Sequence, residues 1–475
     1  MKEDPSAQNS WGLSLFEKQN YELALERFSK AIELDDSKAT YYNNKALALY
    51  HIGDLEGSLD SFSKAIDMDP NDARTYYNRG NTFLAMGKND QAHEEYDKAI
   101  SLNPLNSKFF HSKGLGFQDL GDYQKAISMF QKALEISPDH IPSLYHLGLM
   151  QHRNGDLSDA LTSFTNVLAS IGEDRLVYES RGLVYQEMKN HGMACVDFDK
   201  AVDLEPGYPE VYYYRGLSKI ELKKFNESIA DFNKALELGS RNPGIFSGIG
   251  QAYRLLNQLE KALYYLNEAL LKSPNNEEFL VQRSNIYVDM KMYKNSITDL
   301  TLALEKKPND PQIYYKRGLS YYKNEEYKSC IKDMFQSLQN KPFASYEADI
   351  HYHMGISFAN LDLFHKAIEP LTKALDLTRT QSIYFHERAK CYLLIDNFQE
   401  SVEDFTEVLN LQPNNSHAYF GRAFAFKALK DYEKSAADFE KSKELDPGNP
   451  KLIVNYKRLY DVKYIRLCKP GEEKN

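Results

Sequence analysis

Seven times in this chain an arginine is followed sixteen residues later by a carboxylate: Arg79 and Glu95, Arg181 and Asp197, Arg215 and Asp231, Arg283 and Asp299, Arg317 and Asp333, Arg388 and Asp404, Arg422 and Asp438. A guanidinium offers a planar fork of donors that a carboxylate accepts in two parallel bonds, so these residues could knit two elements together or hold an anionic ligand. Knitting is the expectation, because every arginine already has a neutralising acid at one fixed spacing. Such pairs add little stability over apolar ones, yet they specify how elements dock. A second set is aromatic. Tyr77, His111, Tyr145, Tyr213, Tyr315, Tyr352, His386 and Phe420 stand 34 residues apart or at multiples of 34, with one step lengthened by three. Large rings with polar edges suit an extended peptide or a helix, since they give contact area at low ordering cost. His351 and His353, with His365 nearby, come closest to a metal site, but residues two apart on a helix do not face each other. There is no phosphate-cradling glycine loop, no GxSxG and no HExxH. No catalytic, metal or cofactor residue is therefore expected, and no enzymatic activity.

The elements that must position these residues follow from a 34-residue frame that runs thirteen times from Pro5 to Asn449. Its eighth place is Gly12, Gly80, Gly114, Gly148, Gly182, Gly216, Gly250, Gly318 or Gly355, and otherwise Ala46, Ser284, Ala389 or Ala423. Place 20 is always alanine, serine or cysteine, and place 24 is always large, as in Phe28, Tyr96, Leu266 and Phe439. Nine copies carry proline at place 32, from Pro70 to Pro447. Each copy holds two apolar-periodic stretches long enough for helices, parted by Gly53, Gly87, Gly121 or Gly155 in four early copies. A glycine there can take the left-handed conformation that ends a helix, and Asp54, Asp122 and Asp156, which follow directly, can cap the next. The unit is thus a helical hairpin, with small places 8 and 20 facing each other at a close crossing and place 24 filling the space beside them. Proline at place 32 stops the second helix.

Small residues at places 8 and 20, a large one at 24 and proline at 32 resemble the tetratricopeptide repeat, over residues 5 to 449. The resemblance implies an all-α fold, a right-handed superhelix of antiparallel helix pairs, with a concave groove lined by the first helix of each pair at places 2, 5, 9, 12 and 13. The aromatic row is place 5 and would lie in that groove, where eight aromatic residues of thirteen stand against about two expected from composition. Glu179, Glu187, Glu210, Glu221, Glu278 and Asp289 would make the sixth to ninth copies acidic against one Arg254, while Arg74, Lys108 and Arg153 outweigh Asp119 in the third to fifth. The lysine, asparagine and arginine set by which some relatives clamp the carboxylate tail of chaperones is not assembled here; Asn78, Asn81 and Lys108 are isolated fragments of it. The expected organisation is an N-terminal tail at 1–4, copies one to ten over 5–344, a three-residue insertion at 345–347, copies eleven to thirteen over 348–449, a capping helix over 450–467 and a polar tail at 468–475. The insertion either lengthens one element or changes the pitch of the array.

Net charge is −10 over 475 residues, without the basic footprint of a nucleic-acid binder. No apolar run approaches the roughly 20 residues that cross a bilayer, so membrane insertion is not expected. Cys195, Cys330, Cys391 and Cys468 show no paired spacing and read as reduced thiols of a cytoplasmic protein. The expected function is a non-enzymatic scaffold that binds a peptide or helical segment of one or more proteins in its groove, with a basic extended segment as the preferred partner. The alternatives are a structural component of a large eukaryotic assembly such as a cilium, which the style of Tyr314 to Gly318 resembles, and a non-catalytic regulatory subunit.

Overall fold

The computed structural model describes residues 4–447, which form twenty-six helices and no strand. They divide after Arg241 into two compact units, one of seven helical hairpins and one of six. Each copy of the 34-residue frame makes one hairpin, as in Pro209–Glu221 with Phe225–Glu237, or Pro311–Lys323 with Tyr327–Gln339. About half of the helices begin at a side-chain cap, among them those where Asp54 accepts from the Gly57 N–H and Asp122 from the Lys125 N–H. Asp156 departs from expectation. Its carboxylate is taken by the Asn154 amide at 2.7 Å and caps no N–H.

The turn inside the hairpin demands more than the sequence signalled. Gly53, Gly87, Gly121 and Gly155 have φ of 94°, 72°, 74° and 88°. The other nine copies hold the same left-handed conformation with side chains: Gln19, Lys189, Lys223, Asn257, Lys291, Glu325, Asp362, Asp396 and Lys430, at φ between 57° and 66°. Nine residues thus sit where a Cβ is unfavourable, because the N–H of this residue and the next close bonds back onto the first helix, as Lys223 and Lys224 do on Ile220 and Lys219.

At the helix crossing, place 8 lies on the place-24 side chain. A Cβ added to Gly216 would stand 2.7 Å from Phe232 Cε1, and one on Gly182 2.6 Å from Phe198 Cε1. Place 20 closes in from the other side: at four of its serines the hydroxyl donates to the place-8 carbonyl, as Ser228 does to Gly216 at 2.8 Å and Ser401 to Ala389 at 3.0 Å, whereas Ser296 meets the Ser320 hydroxyl instead. The place-24 side chains from Phe28 to Phe405 are fully buried and form the spine of each unit, whereas Phe439, in the last described hairpin, is half-buried. Burying each such ring contributes about 2–3 kcal/mol. The three extra residues lie in the first helix of the eleventh copy, Ala344–Asn360, which has 17 residues where its counterparts have 13 or 14. The division into units falls elsewhere, after Arg241. The capping helix expected at 450–467, the tail at 468–475 and Cys468 lie outside the described residues.

Candidate functional site

The arginine and acid of each pair meet across the hairpin. Arg317 Nε lies 2.6 Å from Asp333 Oδ2 and Nη2 lies 2.9 Å from Oδ1. The other six pairs are forked the same way, at 2.6 to 3.0 Å. The remaining arginine nitrogen, Nη1, reaches back to the second helix of the preceding copy: Arg317 to Thr301 at 3.1 Å, Arg388 to Thr372 at 2.9 Å, Arg215 to Asp199 at 2.6 Å. Ser63, Thr165, Asn267 and Thr406 serve Arg79, Arg181, Arg283 and Arg422. Each guanidinium therefore joins three helices and two copies. The third partner escaped the sequence reading, although a signal was present: an oxygen-bearing side chain stands sixteen residues before every one of the seven arginines.

Burial drives the Asp333 and Asp404 carboxyls up even with their arginines bonded to them, which is the desolvation cost of a buried pair. Copies without the pair use the same places otherwise. In the first, the Arg27 guanidinium lies 3.7 Å from the centre of the Trp11 ring, whose outer side stays exposed. In the fourth, Lys113 bonds Asp97 of the preceding copy at 2.5 Å.

The aromatic row is half-buried, and each ring is partly used by the fold. Tyr77, His111, Tyr145 and Tyr213 in the first unit pack 5.5 to 6.1 Å, centre to centre, from the place-24 rings Tyr96, Phe130, Phe164 and Phe232. Their polar atoms reach the next copy: Tyr77 Oη accepts from Ser112 at 3.2 Å, Tyr145 Oη meets Ser180 Oγ at 3.4 Å, and His111 Nδ1 meets Ser143 Oγ at 3.0 Å. Burial, followed by the charges of His146 and His140, brings the His111 imidazole down to about 4. In the second unit Tyr315 donates to Asp349, Tyr352 stacks on Tyr384 at 4.8 Å, His386 meets Phe405 edge-on, and Phe420 packs on Phe424 and Phe439.

The acids are less uniform than their count suggested. In the first unit Glu179 is bound to Arg175 at 2.5 Å, and Arg175 also reaches Glu205 and stacks on Tyr208. Burial nevertheless raises the Glu179 carboxyl, with the charge of Glu210 adding to it. Glu187 lies 3.1 Å from His152 Nε2. Glu210 and Glu221 have no cation among the described residues within ion-pair distance. In the second unit Asp289 is taken by Arg254 at 2.5 Å, and Glu278, exposed, accepts from Gln282. The expected excess of six acids over one base thus shrinks, because Arg175 stands outside the five groove places. His353 bonds Asp349 while His351 is buried away from it, and among the described residues no three His, Cys, Asp or Glu side chains are arranged to hold a metal ion. No described helix is long and apolar enough to cross a membrane.

Family models described as TPR repeat match residues 12–53, 46–87 and 284–325. Others described as tetratricopeptide repeat match 73–106, 107–140, 129–162, 177–208, 213–277 and 416–449. No curated protein matches the sequence. Among solved structures, a tetratricopeptide repeat protein from Parabacteroides merdae is 20% identical with a TM-score of 0.46, over 53% of this chain and 98% of that one. Cut9 with Hcn1, of the APC/C, is 13% identical (TM-score 0.43) over 89% and 96%, and yeast Tom70 16% identical (TM-score 0.39) over 95% and 99%. With matching models over well more than half of its length and one hairpin repeated through both units, the chain belongs to the tetratricopeptide repeat family.

Proposed function

We propose that this chain is a non-enzymatic adaptor that holds an extended or helical segment of one or more partner proteins against the first helices of its hairpins. In the seven-hairpin unit the preferred segment is basic with interspersed apolar residues. One observation supports the reading: the half-buried rings of Tyr145 and Tyr213 lie on first helices of that unit, and the helix that carries Tyr213 also carries Glu210 and Glu221, carboxylates unmatched by any cation of the described residues. The arginines support it by exclusion, since three nitrogens of each are spent on the fold. Opposite charge governs the encounter and ring contacts govern the lifetime of the complex.

The test is affinity purification with mass spectrometry, followed by binding kinetics on the partner recovered. Tyr213→Ala is expected to speed dissociation about tenfold, the loss of ~1–2 kcal/mol that truncating a contact tyrosine brings. Glu210→Lys with Glu221→Lys is expected to slow association and flatten its salt dependence. Circular dichroism checks that both variants keep their helices. A partner that is acidic, or that binds both variants unchanged, overturns the proposal.

A further inference from the structure

In the six-hairpin unit Lys316, a half-buried cation of a first helix, is left without an acid. Lys316, half-buried at place 6 of the tenth copy, donates from Nζ to the neutral Asn285 Oδ1 at 3.3 Å. No carboxylate of the described residues lies within ion-pair distance of it, and Asp310 acts only from farther away. The second cation is Arg254, whose own carboxylate is Asp289 at 2.5 Å. Burial first, and then the charge of Arg254, hold the Lys316 ammonium below the ordinary lysine range. A half-buried ammonium without an acid is costly, and at Lys390, half-buried on another first helix of this unit, the fold supplies one: Glu387 at 2.7 Å.

We infer that Lys316, Asn285 and Arg254 form a carboxylate-recognition site that takes an aspartate or glutamate side chain of an extended partner segment. Charge selects the ligand class. Two cations and one carboxylate leave a single positive charge, which a monoanionic carboxylate neutralises and a phosphate dianion overshoots. The donors match as well, because an ammonium and an amide NH2 can share the two oxygens of one carboxylate. A side chain is favoured over a chain terminus because the first-helix face continues on both sides, with Ser247 and Gln282 before the site and Tyr315 and Tyr352 after it. The inference rests on the groove reading above and adds to it an acid that the bound segment must carry.

The test pans a random twelve-residue peptide library on the full chain, on Lys316→Met and on Lys316→Arg. The peptides are fused through their C termini, so that no terminal carboxylate is presented. Peptides from the wild type are expected to share an acidic position that disappears with Lys316→Met and persists with Lys316→Arg. Changing that acid to its amide should weaken wild-type binding about tenfold or more and leave Lys316→Met binding unmoved. The melting temperature of Lys316→Met should equal or exceed that of the wild type, since the change removes an unpaired half-buried charge. A lower melting temperature assigns Lys316 a structural role and overturns the inference. So do peptides without a shared acid, or with one that survives Lys316→Met, and these leave the groove reading standing. A wild type that selects no peptide removes both.

Discussion

Breaking the Arg317–Asp333 pair should cost far more than removing it. The Asp333 side chain is 3% exposed and that of Arg317 is 15% exposed. Arg317→Met leaves a buried carboxylate with its two strongest donors gone, a loss of about 3–5 kcal/mol. Asp333→Leu is milder, about 1.5–3 kcal/mol, the range for hydrogen bonds to a charged group. Arg317 keeps Thr301, lies near the rings of Tyr314 and Tyr321, and can turn its head toward water. The double variant replaces the pair with two apolar side chains and should fall within about 1 kcal/mol of the wild type. The coupling energy is then about 3 kcal/mol or more, well above the few tenths expected of independent sites. Repeat arrays unfold in steps, so the assay is native-state hydrogen exchange of the amides in Tyr327–Gln339, with urea midpoints by circular dichroism as support. A second signature is pH. Burial already raises the Asp333 carboxyl in the intact pair. A folded pKa above the unfolded one means destabilisation that is relieved as pH falls through the folded value, so the Arg317→Met defect should shrink on acidification. Strict additivity of the single variants, or a defect that grows with acid, refutes the reasoning.

The third partner of the guanidinium should be measurable too: Thr301→Val removes one acceptor and is expected to cost about 0.5–1.5 kcal/mol, and a loss equal to that of Asp333→Leu would contradict it. Relieving the left-handed turn is expected to stabilise. Lys223→Gly and Lys291→Gly should each add about 0.5–1 kcal/mol to the exchange protection of their hairpins, and no gain would show that these turns carry no strain. His111 links stability to pH, because its folded value of about 4 lies below its ordinary 6.5. The stability it contributes is whole above about pH 6.5 and is lost as pH falls from there toward 4, since only the unfolded chain gains the proton in that window. His111→Leu should therefore flatten the stability profile of the fourth and fifth hairpins between those values, as read by exchange or chemical denaturation. An unchanged slope would mean that another group carries it.

The hairpin and its count were legible in the residues because they rest on local physics. Apolar periodicity makes two helices, proline at place 32 stops the second, and small places 8 and 20 permit the close crossing at which place 24 is buried. The Arg317–Asp333 spacing was legible for a related reason, since both residues lie in one hairpin whose geometry the frame repeats. What crosses between copies was not. That Arg317 also binds Thr301 and that Tyr145 reaches Ser180 depend on how successive hairpins are placed in space, which no spacing within a copy specifies. The left-handed turn was visible only where glycine advertised it, because backbone hydrogen bonds impose that conformation on Lys223 as firmly as on Gly155. Lys316 shows the same limit from the side of function. The sequence determined that a lysine stands at place 6, while only the packing of its neighbours decided that it is half-buried beside Asn285 with no acid to meet it.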